Sequence, residues 1–447
     1  MKISVIGTGY VGLVTGACLS KFGNDVVCID KNIKRIDPIN DGKTPFFEPG
    51  LDEIVKNSVK NKKLRATTNL FESINETDIT FIAVGTPQKK NGEINTAEIK
   101  KASELIGNAI KYKKNFHIVI VKSTVVPGTT EQIVEKTIKK IIKHKKNFGV
   151  CMNPEFLRQG FAVNDFLNPD RIVVGSNSIR VIKIINKLYK NFKCNKVRTT
   201  IKNAELIKYA SNCLLATMIS FSNEISNICE QTESADVNTV LQGVHFDRRL
   251  TQQINKKNYS PGIISYLKAG CGFGGSCLPK DISALKNYAN KKKIKTNLLD
   301  AVIKVNNDRT ERLKNIILTK LGSIKKKNVA ILGLAFKAGT DDLRDSPSIK
   351  ILKTLKKLGA NIKVWDPKIN FKNNNYLKNS CKKYNSIYET IKNTDCIIIA
   401  TDWPDIKKIN WKKKGILKNK CLLLDGRNLL KKHLIPDAIK YLNIGKG

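Results

Sequence analysis

The sequence is poor in acidic residues and in long apolar runs. Its 447 residues include 38 Asp and Glu against 80 Lys and Arg, which gives a formal net charge of +42. The apolar runs are shorter than the about 20 residues of a membrane-spanning helix. Met1 leads directly into a predicted strand, so we expect neither a membrane span nor a cleavable signal peptide. With 41% hydrophobic residues, 13 Pro and 28 Gly, the composition excludes a disordered or collagen-like chain and predicts two or three domains of roughly 100–200 residues.

The eleven cysteines lack the spacing of disulfide or metal sites. They form no Cys-x-x-Cys pair and lie beside no histidine cluster, so we expect neither disulfides nor a metal site. Most lie in apolar stretches such as VVCID and DCIIIA, where a thiol packs as a small apolar side chain. This usage indicates a reducing cytoplasm. Cys277 differs, because glycines and a Lys-Asp pair surround it in GFGGSCLPKD.

The excess of basic residues is distributed along the whole chain. It forms no basic stripe interleaved with aromatic residues, which is the pattern of a nucleic-acid interface. We therefore expect no nucleic-acid partner, and the positive field should favour small anionic ligands.

Short apolar strands alternate with helical segments in the first part of the chain. Residues 2–7 (KISVIG) predict a strand, Tyr10–Phe22 a helix and Val26–Asp30 a second strand. Further strand-like runs occur in DITFIAVGTP, HIVIVKSTVVPG and NFGVCMNPEF. Such β-α-β alternation predicts a parallel, doubly wound sheet.

A second alternating region follows a long helical segment. Residues 202–230 contain neither Gly nor Pro and predict one long helix. The alternation restarts at NVAILGLAFK, continues with a helix opening at Ser346-Pro347, and ends with NIKVWDP, DCIIIATDW and KCLLLDGRN. The sequence thus predicts an α/β protein with two Rossmann-like, doubly wound parallel-sheet domains joined by a long central helix, with a cleft where two ligands meet. The expected bounds are 1–200, 201–320 and 321–447.

The first strand and helix are joined by GTGYVG, a G-x-G-x-x-G turn. Gly7 and Gly9 permit a tight turn and close approach to a pyrophosphate, which the helix N-terminus stabilises. Asp30, at the end of the second strand, can accept both hydroxyls of an adenosine ribose and repels a 2′-phosphate. The pattern favours NAD over NADP, although three basic residues within five positions of Asp30 would suit a phosphate. The alternative is a turn with a packing role only.

Two further motifs carry candidate chemistry. Lys208 and Asn212 are four residues apart and share a helix face, where a cation and an amide could hold an oxyanion. Taken alone, such a lysine is usually solvated. Cys277 supplies a nucleophile, whose thiol pKa Lys280 could lower, and Asp281 could act as a base or order a water.

These motifs together resemble the UDP-glucose/GDP-mannose dehydrogenase family over nearly the whole chain. The NPDR sequence at 168–171 resembles the UDP-glucose branch more than the GDP-mannose branch, and GGSCLPKD argues against the UDP-N-acetylmannosamine dehydrogenases. The matching segments are GTGYVG, VGTP, STVVPGT, NPEFL, NPDRIVVG, ELIKYASN, GFGGSCLPKD, GLAFKAGTDDLRDSPS and DGRN.

The resemblance implies a four-electron oxidation of a sugar C6 alcohol to a carboxylate with two NAD⁺. Asp281, through a water, takes the hydroxyl proton in the first hydride transfer. Cys277 then adds to the aldehyde, and the thiohemiacetal gives a second hydride to form a thioester that water hydrolyses. The catalytic residues implied are Cys277, Lys208, Asn212, Asp281, Glu155 and Thr124.

The resemblance also implies the ligand contacts, with NAD on residues 1–200 and a UDP-sugar on residues 321–447. No metal is implied, and Arg249 reaches across from a second subunit in family dimers, so we expect a homodimer. The NAD contacts would be Gly7, Gly9, Tyr10, Val11, Gly12, Asp30, Arg35, Thr86, Thr124, Lys280 and Arg344. The nucleotide-sugar contacts would be Glu155, Phe156, Leu157, Lys208, Asn212, Arg249, Tyr266, Lys268, Gly272, Phe336, Lys337 and Arg427.

Two departures from the family pattern bear on the substrate. Gln159 stands where the family usually has a second carboxylate, so any proton transfer there passes to Glu155. About a dozen extra residues follow Arg249, within 251–265, a length change of the kind that loops tolerate. GDP-mannose or UDP-N-acetylglucosamine therefore stay open as substrates. A two-electron hydroxyacid-type dehydrogenase and a basic binding protein are disfavoured by the motifs at 333–348 and 425–428.

Overall fold

The computed structural model describes residues 1–143, 147–254, 257–371, 374–413 and 415–447, with backbone only for 253–254 and 257–258. The chain divides into two compact units, Met1–Ser211 and Asn212–Gly447. No helix within the described ranges is long and apolar enough to cross a membrane. The three-part division expected from the sequence stays a prediction.

The first unit is built on one eight-stranded sheet. Its strands are β1 Lys2–Ile6, β2 Asp25–Ile29, β3 Leu64–Thr67, β4 Ile79–Ile82, β5 His117–Val121, β6 Phe148–Met152, β7 Arg171–Gly175 and β8 Asn195–Thr199. Their order is β3-β2-β1-β4-β5-β6-β7-β8, parallel except where β6 meets β7. The central strands are short apolar runs because helices cover both faces of such a sheet, and β4 and β5 are buried at every position.

The strand order reverses between β1 and β4, which is where doubly wound sheets bind ligands. Gly7 follows β1 with φ +96°, and a Cβ there would lie 2.7 Å from the Ala83 carbonyl oxygen after β4. Only glycine fits this position without moving the backbone. The helices of this unit are α1 Tyr10–Lys21, α2 Ile33–Asn40, α3 Leu51–Lys60, α4 Leu70–Glu76, α5 Ala97–Ile110, α6 Lys136–Ile142, which a π-helix at Thr130–Glu135 precedes, α7 Ala162–Leu167 and α8 Ile179–Leu188.

Helix α9, Ile201–Cys229, corresponds to the helix predicted at 202–230. It contains the boundary between the two units. The second unit continues with α10 Val237–His245, α11 Leu278–Lys291 and α12 Asn297–Leu321. The predicted extra residues at 251–265 include an antiparallel pair, β9 Gln252–Ile254 and β10 Lys257–Tyr259, and a 3₁₀ helix at Gly262–Tyr266. Residues 255–256 of that segment lie outside the described residues.

The second unit also holds a six-stranded parallel sheet. Its strands are β11 Asn328–Leu332, β12 Asn361–Trp365, β13 Lys382–Lys383, β14 Cys396–Ile399, β15 Leu422–Asp425 and β16 Lys440–Asn443. The order β13-β12-β11-β14-β15-β16 repeats that of the first six strands of the first sheet. The predicted class, two doubly wound parallel sheets and a long central helix, is confirmed. The helices around this sheet are α13 Pro347–Lys357, α14 Asn375–Ser380, α15 Ile387–Ile391 and α16 Pro404–Lys407.

Candidate active site

The carboxylate of Asp30 lies directly after β2 and holds the glycine turn. Its Oδ2 accepts the backbone N–H of Thr8 at 2.9 Å and the Thr8 hydroxyl at 2.8 Å, and Oδ1 accepts the N–H of Asn32 at 3.0 Å. Burial works to raise the pKa of Asp30, but these hydrogen bonds and the Arg35 guanidinium at 3.4 Å bring it below its usual value. Asp30 is therefore a fixed negative charge beside the turn.

Thr86 and Thr124, two of the predicted NAD contacts, adjoin each other. The Thr86 hydroxyl donates to the Thr124 carbonyl at 3.0 Å. The loop that follows Thr124 is held by Glu205 of α9, whose carboxylate accepts the N–H of Gly128 at 2.5 Å and of Thr130 at 2.8 Å. Burial raises the pKa of Glu205 to about 6. Helix α9 thus positions the Thr124 loop as well as carrying Lys208.

Lys208 forms a buried ion pair with Glu155. The Nζ–Oε1 distance is 3.0 Å, and the two side chains are only 4% and 6% exposed. Glu155 also accepts the N–H of Leu157 at 2.6 Å. The Phe156 ring lies 3.9 Å from the Arg171 guanidinium and 5.4 Å from the Lys208 ammonium. Lys208 is therefore not a solvated surface lysine, and Glu155, Phe156, Leu157 and Lys208 form one cluster.

The sequence interpretation missed Lys122 and Asn153, which lie at the ends of β5 and β6. The buried ammonium of Lys122 donates to Asn153 Oδ1 at 3.0 Å, and the Tyr189 hydroxyl donates to the same oxygen at 2.7 Å. Burial lowers the pKa of Lys122 to about 8, although the charge of Glu155 works against this shift. A lysine ending the apolar run HIVIVK was the available signal.

The sequence interpretation also missed Glu48, which contacts both the glycine turn and the segment after Glu155. Its carboxylate accepts the Tyr10 hydroxyl and the N–H groups of Gly160 and Ala162. The glutamate lies 38 residues from Tyr10 and 112 from Gly160 in the sequence. Only the position of Glu48 before a Pro-Gly pair marks it locally.

In the second unit, Asp281 is buried and both of its oxygens are occupied. Asn212 Nδ2 donates to Oδ2 at 2.6 Å, and Lys280 Nζ pairs with Oδ1 at 2.5 Å. The structure thus brings together Asn212 and Asp281, two of the predicted catalytic residues, whose roles stay predictions. The ammonium of Lys280 points to Asp281, so its predicted actions on the Cys277 thiol and on NAD stay predictions.

Cys277 is the one cysteine of the eleven that is exposed, and all eleven lie in described ranges. It is the N-cap residue of α11, where the helix dipole stabilises a negative charge. The pKa of Arg344 is raised, first by its hydrogen bond to Asp342 and also by the charge of Cys277. A helix N-terminus and a nearby cation are the surroundings in which nucleophilic thiolates occur.

The glycine loop that leads to Cys277 is held by helices α9 and α12. Asn223 accepts the N–H of Gly270 at 2.8 Å, while Asn306 accepts the N–H of Phe273 at 2.8 Å and donates to its carbonyl at 3.1 Å. Gly272 has φ +98°, and a Cβ there would lie 2.7 Å from Asn306 Oδ1. Hydrogen bonds to α9 and α12 therefore fix the loop at Gly270 and Phe273.

Further predicted sugar contacts meet at the same loop. Arg427 donates to the carbonyls of Ala400 at 2.7 Å and Phe336 at 3.4 Å, and a Cβ on Gly275 would lie 2.9 Å from the Phe336 ring. The ammonium of Lys337 lies 5.8 Å from the centroid of that ring. The structure thus groups Phe336, Lys337 and Arg427 beside the loop that contains Gly272.

The three remaining predicted sugar contacts are Arg249, Lys268 and Tyr266. Arg249 pairs with Asp247 of the same turn, and its side chain is 88% exposed. Lys268 is exposed, and Tyr266 ends the 3₁₀ helix. In the part of the chain that is described, no group of three or more His, Cys, Asp or Glu side chains could hold a metal ion.

Comparison with known proteins supports the family resemblance that the sequence motifs indicate. The chain matches three domains of the UDP-glucose/GDP-mannose dehydrogenase family: the NAD binding domain over residues 1–193, the central domain over 202–308 and the UDP binding domain over 330–432. It is 39% identical to UDP-glucose 6-dehydrogenase TuaD of Bacillus subtilis strain 168, covering 96% of this chain and 89% of that protein.

Two more relatives cover the chain completely. The UDP-glucose 6-dehydrogenase of Rickettsia conorii is 38% identical over 100% of this chain and 99% of its own. The solved structure of a UDP-glucose dehydrogenase from Pyrobaculum islandicum superposes with a TM-score of 0.90 at 32% identity, covering 100% of this chain and 98% of that one. With its glycine turn, buried Lys208–Glu155 pair and exposed Cys277, the chain belongs to the UDP-glucose/GDP-mannose dehydrogenase family.

Proposed function

We propose that the protein oxidises the C6 alcohol of UDP-glucose to the carboxylate of UDP-glucuronate, with two NAD⁺ consumed per sugar. The observation that carries this proposal is Cys277, an exposed thiol at a helix N-terminus, next to a glycine loop that is hydrogen-bonded to α9 and α12. A two-electron hydroxyacid dehydrogenase has no use for such a thiol. The names of the relatives at 38–39% identity support UDP-glucose as the sugar.

The residues of the glycine turn fit NAD. Gly7 and Gly12 leave no room for a side chain, and a Cβ on Gly9 would meet no atom within 4 Å, which leaves space for a pyrophosphate. Asp30 would bind the ribose diol, and Thr86 and Thr124 would line the nicotinamide end. When bound, NAD⁺ accepts one hydride in each of the two oxidation steps.

In the first step the alcohol loses a hydride and a proton, giving the aldehyde. Asp281 receives the proton through a water, while the ammonium of Lys208 and the amide of Asn212 stabilise the alkoxide as charge develops. Lys208 and Asn212 are four residues apart on α9, so both side chains project to one face of the helix.

In the second step the Cys277 sulfur adds to the aldehyde carbon and forms a thiohemiacetal. Loss of a hydride and of the hydroxyl proton gives a thioester, and attack by water breaks the C–S bond to release the carboxylate and regenerate the thiol. Glu155 would assist proton transfer. Gln159, which stands where the family usually has a second carboxylate, is an amide and cannot act as a base. Thr124 would order the water.

The decisive experiment counts NADH per sugar with UDP-glucose, GDP-mannose and UDP-N-acetylglucosamine as limiting substrates. We expect two NADH per UDP-glucose and the highest kcat/KM for that sugar. One NADH per sugar with an aldehyde product would remove the four-electron mechanism. A higher kcat/KM for another sugar would keep the chemistry and assign the specificity to the segment after Arg249.

We also propose a homodimer formed through α9. Leu214, Phe221 and Ile228 are 53%, 46% and 58% exposed, and their spacing of seven residues places them on one face of the helix, as in paired helices. An exposed apolar row of this kind is typical of an interaction surface, and a second copy presents the same row.

The thiols of all eleven cysteines support a reducing cytoplasmic location.

A further inference from the structure

Glu48 is a buried carboxylate that the proposed oxidation does not use. It is 2% exposed and lies in the segment between α2 and α3. Oε2 accepts the Tyr10 hydroxyl and the N–H of Gly160 at 2.7 Å, and Oε1 accepts the N–H of Ala162 at 2.6 Å. Three donors from two distant segments therefore converge on one carboxylate.

The three donors belong to parts of the chain with different roles. Tyr10 is the first residue of α1 and lies within the glycine turn GTGYVG. Gly160 and Ala162 end the segment 155–162, which begins with Glu155, Phe156 and Leu157. Glu155 accepts the N–H of Leu157 at 2.6 Å. This segment is thus held by a carboxylate at each end, and the carboxylate at its far end is shared with the glycine turn.

Burial makes this arrangement cooperative. A buried carboxylate is costly unless its oxygens accept hydrogen bonds, and bonds to an ionised acceptor are about twice as strong as neutral ones. Burial, and then the hydrogen bond to Glu48, raise the pKa of Tyr10, so its hydroxyl keeps the proton that it donates. Displacing any one donor weakens the hold on the other two.

We propose that Glu48 is a positioning residue that couples the dinucleotide turn to the sugar-contacting segment 155–162. A dinucleotide on the turn restrains Tyr10, Tyr10 restrains the Glu48 carboxylate, and the carboxylate orders the amides of Gly160 and Ala162. The first ligand then bears part of the ordering cost, and the second binds more tightly. The inference rests on the proposed function only in assigning the segment to the sugar.

The first test needs NAD⁺ alone and measures hydrogen–deuterium exchange in residues 157–162. In the wild type we expect NAD⁺ to slow exchange at Gly160 and Ala162 by about fivefold, within the usual range of coupling between sites. Tyr10→Phe, which removes one hydroxyl, and Glu48→Gln should both abolish this protection. Equal protection in the wild type and in Tyr10→Phe would overturn the proposal.

Asp165→Asn is the matched control. Asp165 holds the same segment by accepting the backbone N–H and the side chain of Arg158 at 2.9 Å and 3.0 Å, without contacting Tyr10. We expect this variant to keep the NAD⁺-induced protection. Loss of protection in Asp165→Asn as well would mean that the segment is merely loosened, and would also overturn the proposal.

The second test is kinetic and uses saturating NAD⁺. Glu48→Gln should raise the KM for the sugar by about tenfold with a smaller change in kcat, because the segment is mispositioned while the reacting groups are intact. An unchanged KM would argue against the coupling. If UDP-glucose proves not to be the substrate, the proposed function fails, while the exchange experiment still decides the role of Glu48.

Discussion

The charge of Asp30 should set the choice of cofactor. We expect the wild type to prefer NAD⁺ over NADP⁺ by about a hundredfold in kcat/KM, since juxtaposed like charges cost several kcal/mol. Asp30→Asn should reduce this ratio, because the amide keeps an acceptor and loses the charge. Because the pKa of Asp30 lies below its usual value, its carboxylate is charged from pH 5 to 9, and the preference should be constant above about pH 7, where the 2′-phosphate is fully ionised. Equal turnover of both cofactors by the wild type would contradict the assignment.

Cys277 separates a four-electron from a two-electron enzyme. In Cys277→Ser the ester hydrolyses more slowly than a thioester, so a covalent sugar–enzyme adduct should accumulate with UDP-glucose and NAD⁺. Cys277→Ala should form no adduct and lose most of its NADH production. Both variants should fold, because the thiol is exposed. Intact-protein mass spectrometry measures the adduct.

Cys381→Ser is the control for these variants, since it removes a partly buried thiol near the second sheet. It should produce two NADH per sugar, as the wild type does. The cysteine mechanism is wrong if Cys277→Ser forms no adduct and Cys277→Ala produces NADH at a near-normal rate.

The buried charge of Lys122 should make stability depend on pH. Its folded pKa of about 8 lies below the ordinary 10.5, so between these values the unfolded chain binds more protons and stability rises with pH. Lys122→Met removes the charge and should raise the thermal midpoint at pH 7. Its advantage over the wild type should shrink by about 1 kcal/mol between pH 7 and pH 9.

Tyr189→Phe is the matched control for Lys122→Met, because it removes the other hydrogen bond to Asn153 Oδ1 without removing a charge. Its effect on the thermal midpoint should be the same at pH 7 and pH 9. A pH-independent effect of Lys122→Met would show that the lysine stays protonated in the folded protein throughout this range, and would contradict the lowered pKa.

Helix α9 combines a catalytic and an assembly role in the proposals. Its length of 29 residues presents Lys208 and Asn212 on one turn and the row of Leu214, Phe221 and Ile228 along the rest. Phe221→Lys combined with Ile228→Lys should convert the dimer to a monomer, because like charges would face each other across the interface. Sedimentation velocity measures this.

Ile179→Lys provides the control for the helix α9 variant. Ile179 is 74% exposed on α8 and lies outside the apolar row, so its substitution should leave the dimer intact. A monomeric wild type, or a dimeric Phe221→Lys/Ile228→Lys variant, would exclude α9 as the interface.

The net charge of +42 acts over the whole molecule. Both proposed ligands are diphosphates, and a positive field raises their association rates. We expect kcat/KM for UDP-glucose to fall several-fold as ionic strength rises from about 0.02 M to 0.3 M, since the Debye length is only about 10 Å at 0.1 M. The value of kcat should change less. A kcat/KM independent of salt would mean that the lysines act as solvated surface charges only.

Several features were predictable from the sequence because they are local. Short apolar runs alternating with helical segments predict parallel sheets, and the glycine turn after the first strand predicts a pyrophosphate site. The thiol of Cys277 stands out because its neighbours are glycines instead of apolar residues. Family membership follows from motifs of this kind, each of which is a contiguous segment.

The tertiary structure decided which donors meet which acceptors. Glu48 contacts Tyr10 and Gly160 although 38 and 112 residues separate them in the sequence. The strands β1, β2 and β6 run parallel, so their carboxyl ends lie at the same edge of the sheet. Lys208 looks like a surface lysine by spacing, yet it is buried against Glu155. Lys280 forms an ion pair with Asp281, which the sequence analysis, in assigning Lys280 to the Cys277 thiol, did not predict. Periodicity records which face of an element is apolar, whereas the pairing of buried polar groups depends on distances that exist only after the elements pack.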